Sequence, residues 1–274
     1  MKKVYRILLP LLLLFCAAAE AEEGAEPFPL RTQFPEVKVI SLEALQEQYE
    51  DVVIVDSRTR FEYETIHINK AVRVPASSKS FLKLLERYVP DYDSKVVFYC
   101  NGVTCSKSYR AAALATRAGY TDAYSFDAGI FAWATANPRF TTLLGKSPMV
   151  LEQLISEQHF AAHTIDFETF RKRASEPDAI VIEVRDAAQR RNSDGTRNDL
   201  PGMPSLDRTQ RLVLYMDLLK RKLERREYIG KQLLIFDATG KQVKWLEYSL
   251  KKYGYDHYAF LKGGVYSVTE VVHR

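Results

Sequence analysis

The apolar and polar positions along the chain alternate short β-branched or aromatic runs with amphipathic stretches. Val37–Ile40 predicts a strand, Ser41 an N-cap, Leu42–Tyr49 a helix, and Val52–Val55 a second strand ending in Asp56-Ser57-Arg58. Phe61, Tyr63, Ile66 and Ile68 surround His67 ahead of Ala71–Pro75, and Phe81–Tyr88 is amphipathic through Leu82, Leu84 and Leu85. Val96–Tyr99 reads as a short strand buried on both faces. Ala111, Leu114, Ala115 and Ala118 then give a helix face that Gly119 stops. Ala123–Phe126, a turn at Asp127-Ala128-Gly129, and Ile130–Ala134 complete the series. Strands alternating with helices in this way predict an α/β fold with substantial parallel pairing.

The second half repeats the order. Ile165-Asp166-Phe167-Glu168 matches Ile40-Ser41-Leu42-Glu43, and Ile180–Arg185 matches Val53–Arg58 around a carboxylate and an arginine. Leu233–Asp237 matches Val96–Cys100, Gly254-Tyr255 matches Gly119-Tyr120, and Gly263-Gly264 falls where Ala128-Gly129 does. So many matches in one order predict two copies of one domain. The expected boundaries are 36–137 for the first, 138–163 for a linker and 164–272 for the second. Met149–Ser156 is read as a short connecting helix. A long helix is expected around Asp207–Arg226, its charge-dense end Lys220–Glu227 being a solvated face.

The copies differ where chemistry would occur. Cys100 ends the Val96–Tyr99 strand and is followed by the uncharged loop Asn101, Gly102, Val103, Thr104, Cys105, with Ser106 as the expected N-cap of the next helix. A strand–loop–helix junction directs backbone N–H groups and a helix's positive end at the sulfur, favouring a nucleophilic thiolate. Cys100 is therefore the candidate catalytic residue, and Asn101, Gly102, Val103, Thr104, Cys105 and Ser106 the candidate substrate-binding loop. In the second copy Asp237 replaces the cysteine, and Ala238-Thr239-Gly240-Lys241 replaces its loop. A carboxylate there can mimic an anion but cannot carry sulfur, so this copy is expected to be catalytically silent.

Residues 1–21 read as a secretory signal: Lys2, Lys3 and Arg6 precede an apolar run of 13 residues, Ile7–Ala19, with small residues at the cleavage sites. That run is shorter than the ~20 residues of a spanning helix, so no stable membrane span is expected after cleavage. The segment holds three basic residues and one acidic, and its removal lowers the formal net charge from +4 to +2. Neither balance suggests nucleic acid. Glu22–Arg31 is a polar lead-in, expected to be loosely ordered. Cleavage leaves Cys100 and Cys105 as the only cysteines. In an oxidising compartment they are either a short disulfide or a nucleophile with its resolving thiol. His159, His163, His257 and His273 show no metal-ligand spacing with the cysteines, and neither a metal nor another cofactor is expected.

Asp56-x-Arg58, Glu62-Tyr63 with His67-Ile68, Ala71 with Pro75, Tyr99-Cys100, Gly119-Tyr120, and Gly129 before Trp133 stand in an order and spacing that resemble a tandem rhodanese-like protein of the sulfurtransferase superfamily. The resemblance covers roughly Val37–Thr269. It implies two rhodanese-like domains, each a mainly parallel five-stranded sheet flanked by helices, and a catalytic Cys100 that takes sulfane sulfur as a persulfide. The partners implied are a small sulfur donor and a thiol acceptor, with a protein acceptor or reductant as a further class. Cys105, in the pattern Cys-x-Gly-x-x-Cys-x-x-Ser through Ser108, recurs in a longer-loop variety of the family. The chain departs from the family at Ile66 and Lys70, where glycines are usual. Its loop also lacks the arginine or lysine of many thiosulfate-using members.

Asp56 and Arg58 are expected to support the site by ion pairing, and His67 to be structural. Three readings stay open: an exported sulfurtransferase, a thiol–disulfide redox protein using Cys100 and Cys105, and a non-catalytic binding or sensing module. A phosphatase would need arginine at the position of Ser106.

Overall fold

The computed structural model describes residues 28–185, 189–191, 195–196, 199–200, 209–214 and 217–272. The signal segment, residues 1–21, and His273 lie outside them. The chain runs β1 (Lys38–Val39), α1 (Leu42–Glu47), β2 (Val53–Asp56), α2 (Arg60–Thr65), β3 (Ile66–Ile68) and β4 (Val72–Arg73). It continues as α3 (Phe81–Tyr88), β5 (Val96–Tyr99), α4 (Lys107–Arg117), β6 (Ala123–Phe126), α5 (Gly129–Ala136) and β7 (Thr141–Leu143). After α6 (Glu157–Ala162) come β8 (Thr164–Ile165), α7 (Phe167–Ala174), β9 (Ala179–Glu183) and β10 (Thr209–Arg211). The chain closes with α8 (Asp217–Glu224), β11 (Gln232–Phe236), α9 (Val243–Lys252), β12 (Tyr258–Leu261) and α10 (Gly264–Val272).

The first sheet has the order β1-β6-β5-β2-β4, and every pairing in it is parallel. The second has the order β8-β12-β11-β9-β10, again all parallel. Strand for strand the two orders coincide, so β11 is the counterpart of β5. Both are central because each is apolar on both faces, and only a strand covered by helices on both sides buries such a sequence. Val96, Val97, Phe98 and Tyr99 are all fully buried. The alanines of α4 (Ala111, Ala112, Ala113, Ala115) are buried too; small side chains let that helix lie close on the sheet.

Three segments depart from the sequence reading. The long helix expected around Asp207–Arg226 is not formed: Thr209–Arg211 is strand β10, paired with Val181–Glu183, and the helix is Asp217–Glu224. Pairing at an open sheet edge, with Leu212 buried beyond it, outweighs local helix propensity there. Within 138–163, β7 pairs antiparallel with β3, and α6 precedes the second sheet; Met149–Ser156 contains only a single 3-10 turn, Leu151–Gln153. The lead-in is tied down at its end, where Arg31 Nε donates to Asp127 Oδ2 at 2.8 Å.

The units share a core. Trp245 and Tyr248 of α9 are buried in the cluster that holds Ile130 and Trp133 of the first unit and Ile155 of the linker. Trp245 stacks on Phe131 with ring centroids 5.2 Å apart, and Tyr248 Oη accepts from Ile155 N at 3.0 Å. Two aromatics of this size bury roughly 150–250 Å² each, so the second unit completes the first unit's core. Among the described residues no helix is long and apolar enough to cross a membrane.

Candidate active site

Cys100 follows β5 at its C-terminal end, at the head of the loop that leads into α4. Its sulfur is fully buried. The backbone anchors it: Ile130 N donates to Cys100 O and Ser57 N donates to Tyr99 O, each at 3.0 Å. In the second unit Val265 N donates to Asp237 O and Val184 N to Phe236 O, also at 3.0 Å. Gly129 is required here. It has φ +72°, and a Cβ on it would stand 2.4 Å from Gly102 N. Gly264, its counterpart, has φ +63° and presses on the Ala238–Gly240 loop in the same way.

The two loops hold opposite chemistry in one frame. The Asp237 carboxylate accepts backbone N–H bonds from Thr239 (3.1 Å), Gly240, Gln242 (2.6 Å) and Val243 (3.3 Å). Burial pushes its acidity toward the neutral form while these four amides pull the other way. The fold position that ends the central strand is therefore built to surround an anion.

In the first unit the expectation that the loop amides converge on Cys100 needs correction. Cys100 Sγ donates to the carbonyl of Cys105 at 2.9 Å and lies 3.3 Å from Ser108 Oγ. Burial, then the contact with Cys105, raises its pKa well above the ordinary thiol range, against the hydroxyl and amide of Ser108. Cys105 takes the favourable surroundings. The hydrogen bond from Cys100 comes first, followed by the amides of Asn101 and Lys107, and together they hold Cys105 at about 6 despite burial. The loop thus shares its donors between two sulfurs, and they favour ionisation of Cys105 over that of Cys100. Both cysteines are free thiols.

The remaining loop residues divide. Asn101 is fixed, its Nδ2 donating to Glu62 Oε1 at 2.8 Å and its Oδ1 accepting from Arg58 Nη1 at 3.4 Å. Gly102 turns the chain and accepts from Cys105 N at 2.9 Å. Val103 and Thr104 are exposed at the loop's tip. Ser106 stands at the N-cap of α4, but its hydroxyl makes no capping bond because its own backbone is already helical (φ −79°, ψ −2°). Asp56 and Arg58 form a fully buried pair at 2.6 Å; Arg58 Nη2 also donates to Ile66 O at 2.6 Å, and the guanidinium lies over the rings of Tyr99 and Trp245. His67 accepts a structural place, stacked on Tyr63 with Nδ1 2.8 Å from Tyr63 O, and burial lowers its pKa.

Glu62, quoted above only as part of the family pattern, and Lys107, at the start of α4, are further site residues. Glu62 closes a capping box with Thr59 at the start of α2, and it also receives Asn101 and Lys107 Nζ (3.1 Å). The Thr59-x-x-Glu62 spacing was the signal available in the sequence. Burial acts to raise Glu62, but Lys107, Arg58, Asn101 and the Thr59 amide outweigh it and hold the carboxyl at about 2. A carboxyl held below its unfolded value stabilises the fold above that value and loses the contribution as pH falls toward the folded one. Stability of the wild type relative to Glu62→Gln should therefore decline between pH 4.5 and 2, by on the order of 3 kcal/mol, in urea unfolding at stepped pH. A constant difference across that window refutes the assignment.

Residues 40–136 match the rhodanese-like domain family. The chain is 32% identical over 87 residues to the tRNA uridine(34) hydroxylase of Erwinia tasmaniensis, covering 31% of this chain and 24% of that protein. The Sodalis glossinidius protein of the same name is 31% identical over 85 residues, covering 30% and 23%. The chain thus spans about a quarter of the length of these curated relatives. Among solved structures, a thiosulfate sulfurtransferase from Pseudomonas aeruginosa aligns over 86% of this chain and 45% of its own at 17% identity and a TM-score of 0.36. A human single-domain sulfurtransferase aligns over 35% and 95% at 21% identity and a TM-score of 0.30.

Proposed function

We propose that this chain, which carries a rhodanese-like domain across residues 40–136, is an exported sulfurtransferase working through a persulfide on Cys100. The observation that carries the reading is the paired architecture. Where the second unit holds the Asp237 carboxylate in four backbone amides, the first unit places Cys100 at the end of the equivalent strand. Frames that surround an anion suit a sulfur that must pass through thiolate and persulfide anion.

The chemistry begins with the proton. Cys100 hands its proton to the neighbouring Cys105 thiolate, the carbonyl of Cys105 turns from the sulfur, and the Cys100 thiolate attacks the outer sulfur of the donor. The donor's S–S bond breaks, its remaining part leaves with the electron pair, and Cys100–S–S⁻ remains. An acceptor thiolate then attacks the outer sulfur, departs as a persulfide and returns the Cys100 thiolate. The hydroxyl and amide of Ser108 hold the negative charge through both steps. The donor is read as a small sulfane-sulfur compound other than thiosulfate, because Lys107 is engaged with Glu62 and no other cation stands in the loop. With no basic stripe beside aromatics, activity on tRNA is not part of this reading. Residues 1–21 support export.

A second reading has its own observation. Cys105, held at about 6 beside Cys100, is the kind of attacking thiolate that thiol–disulfide exchange uses. One measurement separates the two. The reduced, exported protein is exposed to polysulfide, thiosulfate or mercaptopyruvate and mapped by mass. The expected gain is about 32 Da, one sulfur atom, on Cys100, removed by a thiol acceptor. Cycling of a Cys100–Cys105 bridge with partner thiols and no sulfur gain would establish the redox reading instead. The same spectra read the amino terminus, and recovery of Met1–Ala21 intact would show that the segment is an anchor and not a cleaved signal.

A further inference from the structure

Three side chains with ligating atoms meet far from Cys100 in the sequence, where α6 abuts α9. His159 lies on α6 and His163 is its C-cap residue, so the four-residue spacing puts both imidazoles on one side of the helix. Their rings are 4.8 Å apart. Glu247, from α9, is fully buried. Its Oε1 lies 2.9 Å from His163 Nδ1 and 3.5 Å from His159 Nε2, and all the ligating atoms fall within 4.8 Å of one another.

The carboxylate is only half used. Oε1 also accepts from Tyr258 Oη at 3.0 Å, whereas Oε2 is shut off from water and has no hydrogen-bond partner. A buried polar oxygen left bare costs about 1–3 kcal/mol, and a cation bound there removes that cost. Tyr258 also stacks on the His163 ring at 4.5 Å, which holds one imidazole and the carboxylate in a common frame. His159 is partly exposed and free to turn inward; Lys251, whose Nζ is 3.5 Å from its Nε2, is exposed and can withdraw.

We infer that His159, His163 and Glu247 form a binding site for a divalent transition metal of the zinc class. Two imidazoles and one carboxylate are a donor set that such ions prefer, while calcium and magnesium take oxygen ligands. The site opens to solvent on the His159 side, which leaves room for a water as a further ligand. Its bound ion joins the segment before the second sheet to the helix that carries Trp245 and Tyr248 into the first unit's core. The metal therefore pins the linker helix α6 to the second unit and stabilises the folded chain by mass action.

The test uses the metal-free chain and Co²⁺ as a spectroscopic probe, followed by displacement with Zn²⁺. The expected result is one Co²⁺ per chain, with visible d–d bands, no sulfur-to-cobalt charge-transfer band, and a melting temperature raised by Zn²⁺. His159→Ala, at a partly exposed position, should fold normally and bind at least as weakly as the roughly 10–100-fold loss seen when only an outer-shell partner is removed. Glu247→Gln should behave likewise, and the double variant Cys100→Ser/Cys105→Ser should bind as the wild type does. Binding that is absent, insensitive to His159→Ala, or lost with the cysteines would overturn the site and leave a hydrogen-bonded His–His–Glu cluster.

Discussion

Cys100→Ser is expected to abolish sulfur loading, whereas Cys105→Ser leaves loading in place and changes the fate of the product. A serine hydroxyl in the same buried place can neither ionise near neutral pH nor form a stable sulfur–sulfur bond, so no residual route exists at this site. The second unit does not compensate, because Asp237 occupies the equivalent position and its amides are already satisfied. Cys105 lies close enough to accept a hydrogen bond from Cys100 and is the more acidic thiol of the two. Once the persulfide forms, Cys105 can attack the inner sulfur, expel hydrosulfide and leave a Cys100–Cys105 disulfide, which consumes a reductant before another turnover. Cys105→Ser should lengthen the persulfide's lifetime and raise the fraction of loaded Cys100. It should also slow loading near neutral pH, because the group that receives the Cys100 proton is gone. The readout is the time course of the sulfur adduct in wild type and both variants. Loading that survives Cys100→Ser would move the reaction to another sulfur.

Arg58→Ala should be among the most destabilising single changes in the chain, by about 3–5 kcal/mol in urea unfolding. The guanidinium and the Asp56 carboxylate are both fully buried and 2.6 Å apart, so removing Arg58 strands a charge with no access to water. It also orphans Ile66 O, frees Asn101 and removes the cation beneath Trp245. Arg60→Ala supplies the contrast two residues along. Its pair with Glu64 has side chains 61% and 43% exposed, and an exposed helical pair of that kind contributes little to stability. Equal losses for the two substitutions would contradict the view that Asp56–Arg58 organises the loop around Cys100. Because Trp245 belongs to the second unit, Arg58→Ala should also shift the unfolding of both halves together.

The strand-type runs, the repeat and the position of Cys100 were legible in the chain because each rests on local chemistry. An unbroken apolar run such as Val96–Tyr99 has few folded destinations, and its recurrence at Leu233–Phe236 with matching glycines and Asp/Glu-x-Arg pairs dictates two copies of one strand order. Partnership across the fold was not legible. Thr209–Arg211 became a strand only because a sheet edge was open beside it, and Glu62, a capping residue by its spacing, became a site residue only when Asn101 and Lys107 arrived from another element. His159 and His163 gained a common ligating partner only through Glu247, more than eighty residues away. The state of the cysteines was decided in the same way. Local sequence brings both to one loop, but which sulfur faces a carbonyl and which faces amides depends on the loop's peptide orientations, and these are set by packing against α5 at Gly129 and by Asn101's bonds to Glu62 and Arg58. Short-range patterns determine which elements form; burial and long-range electrostatics determine which of their side chains become chemically competent.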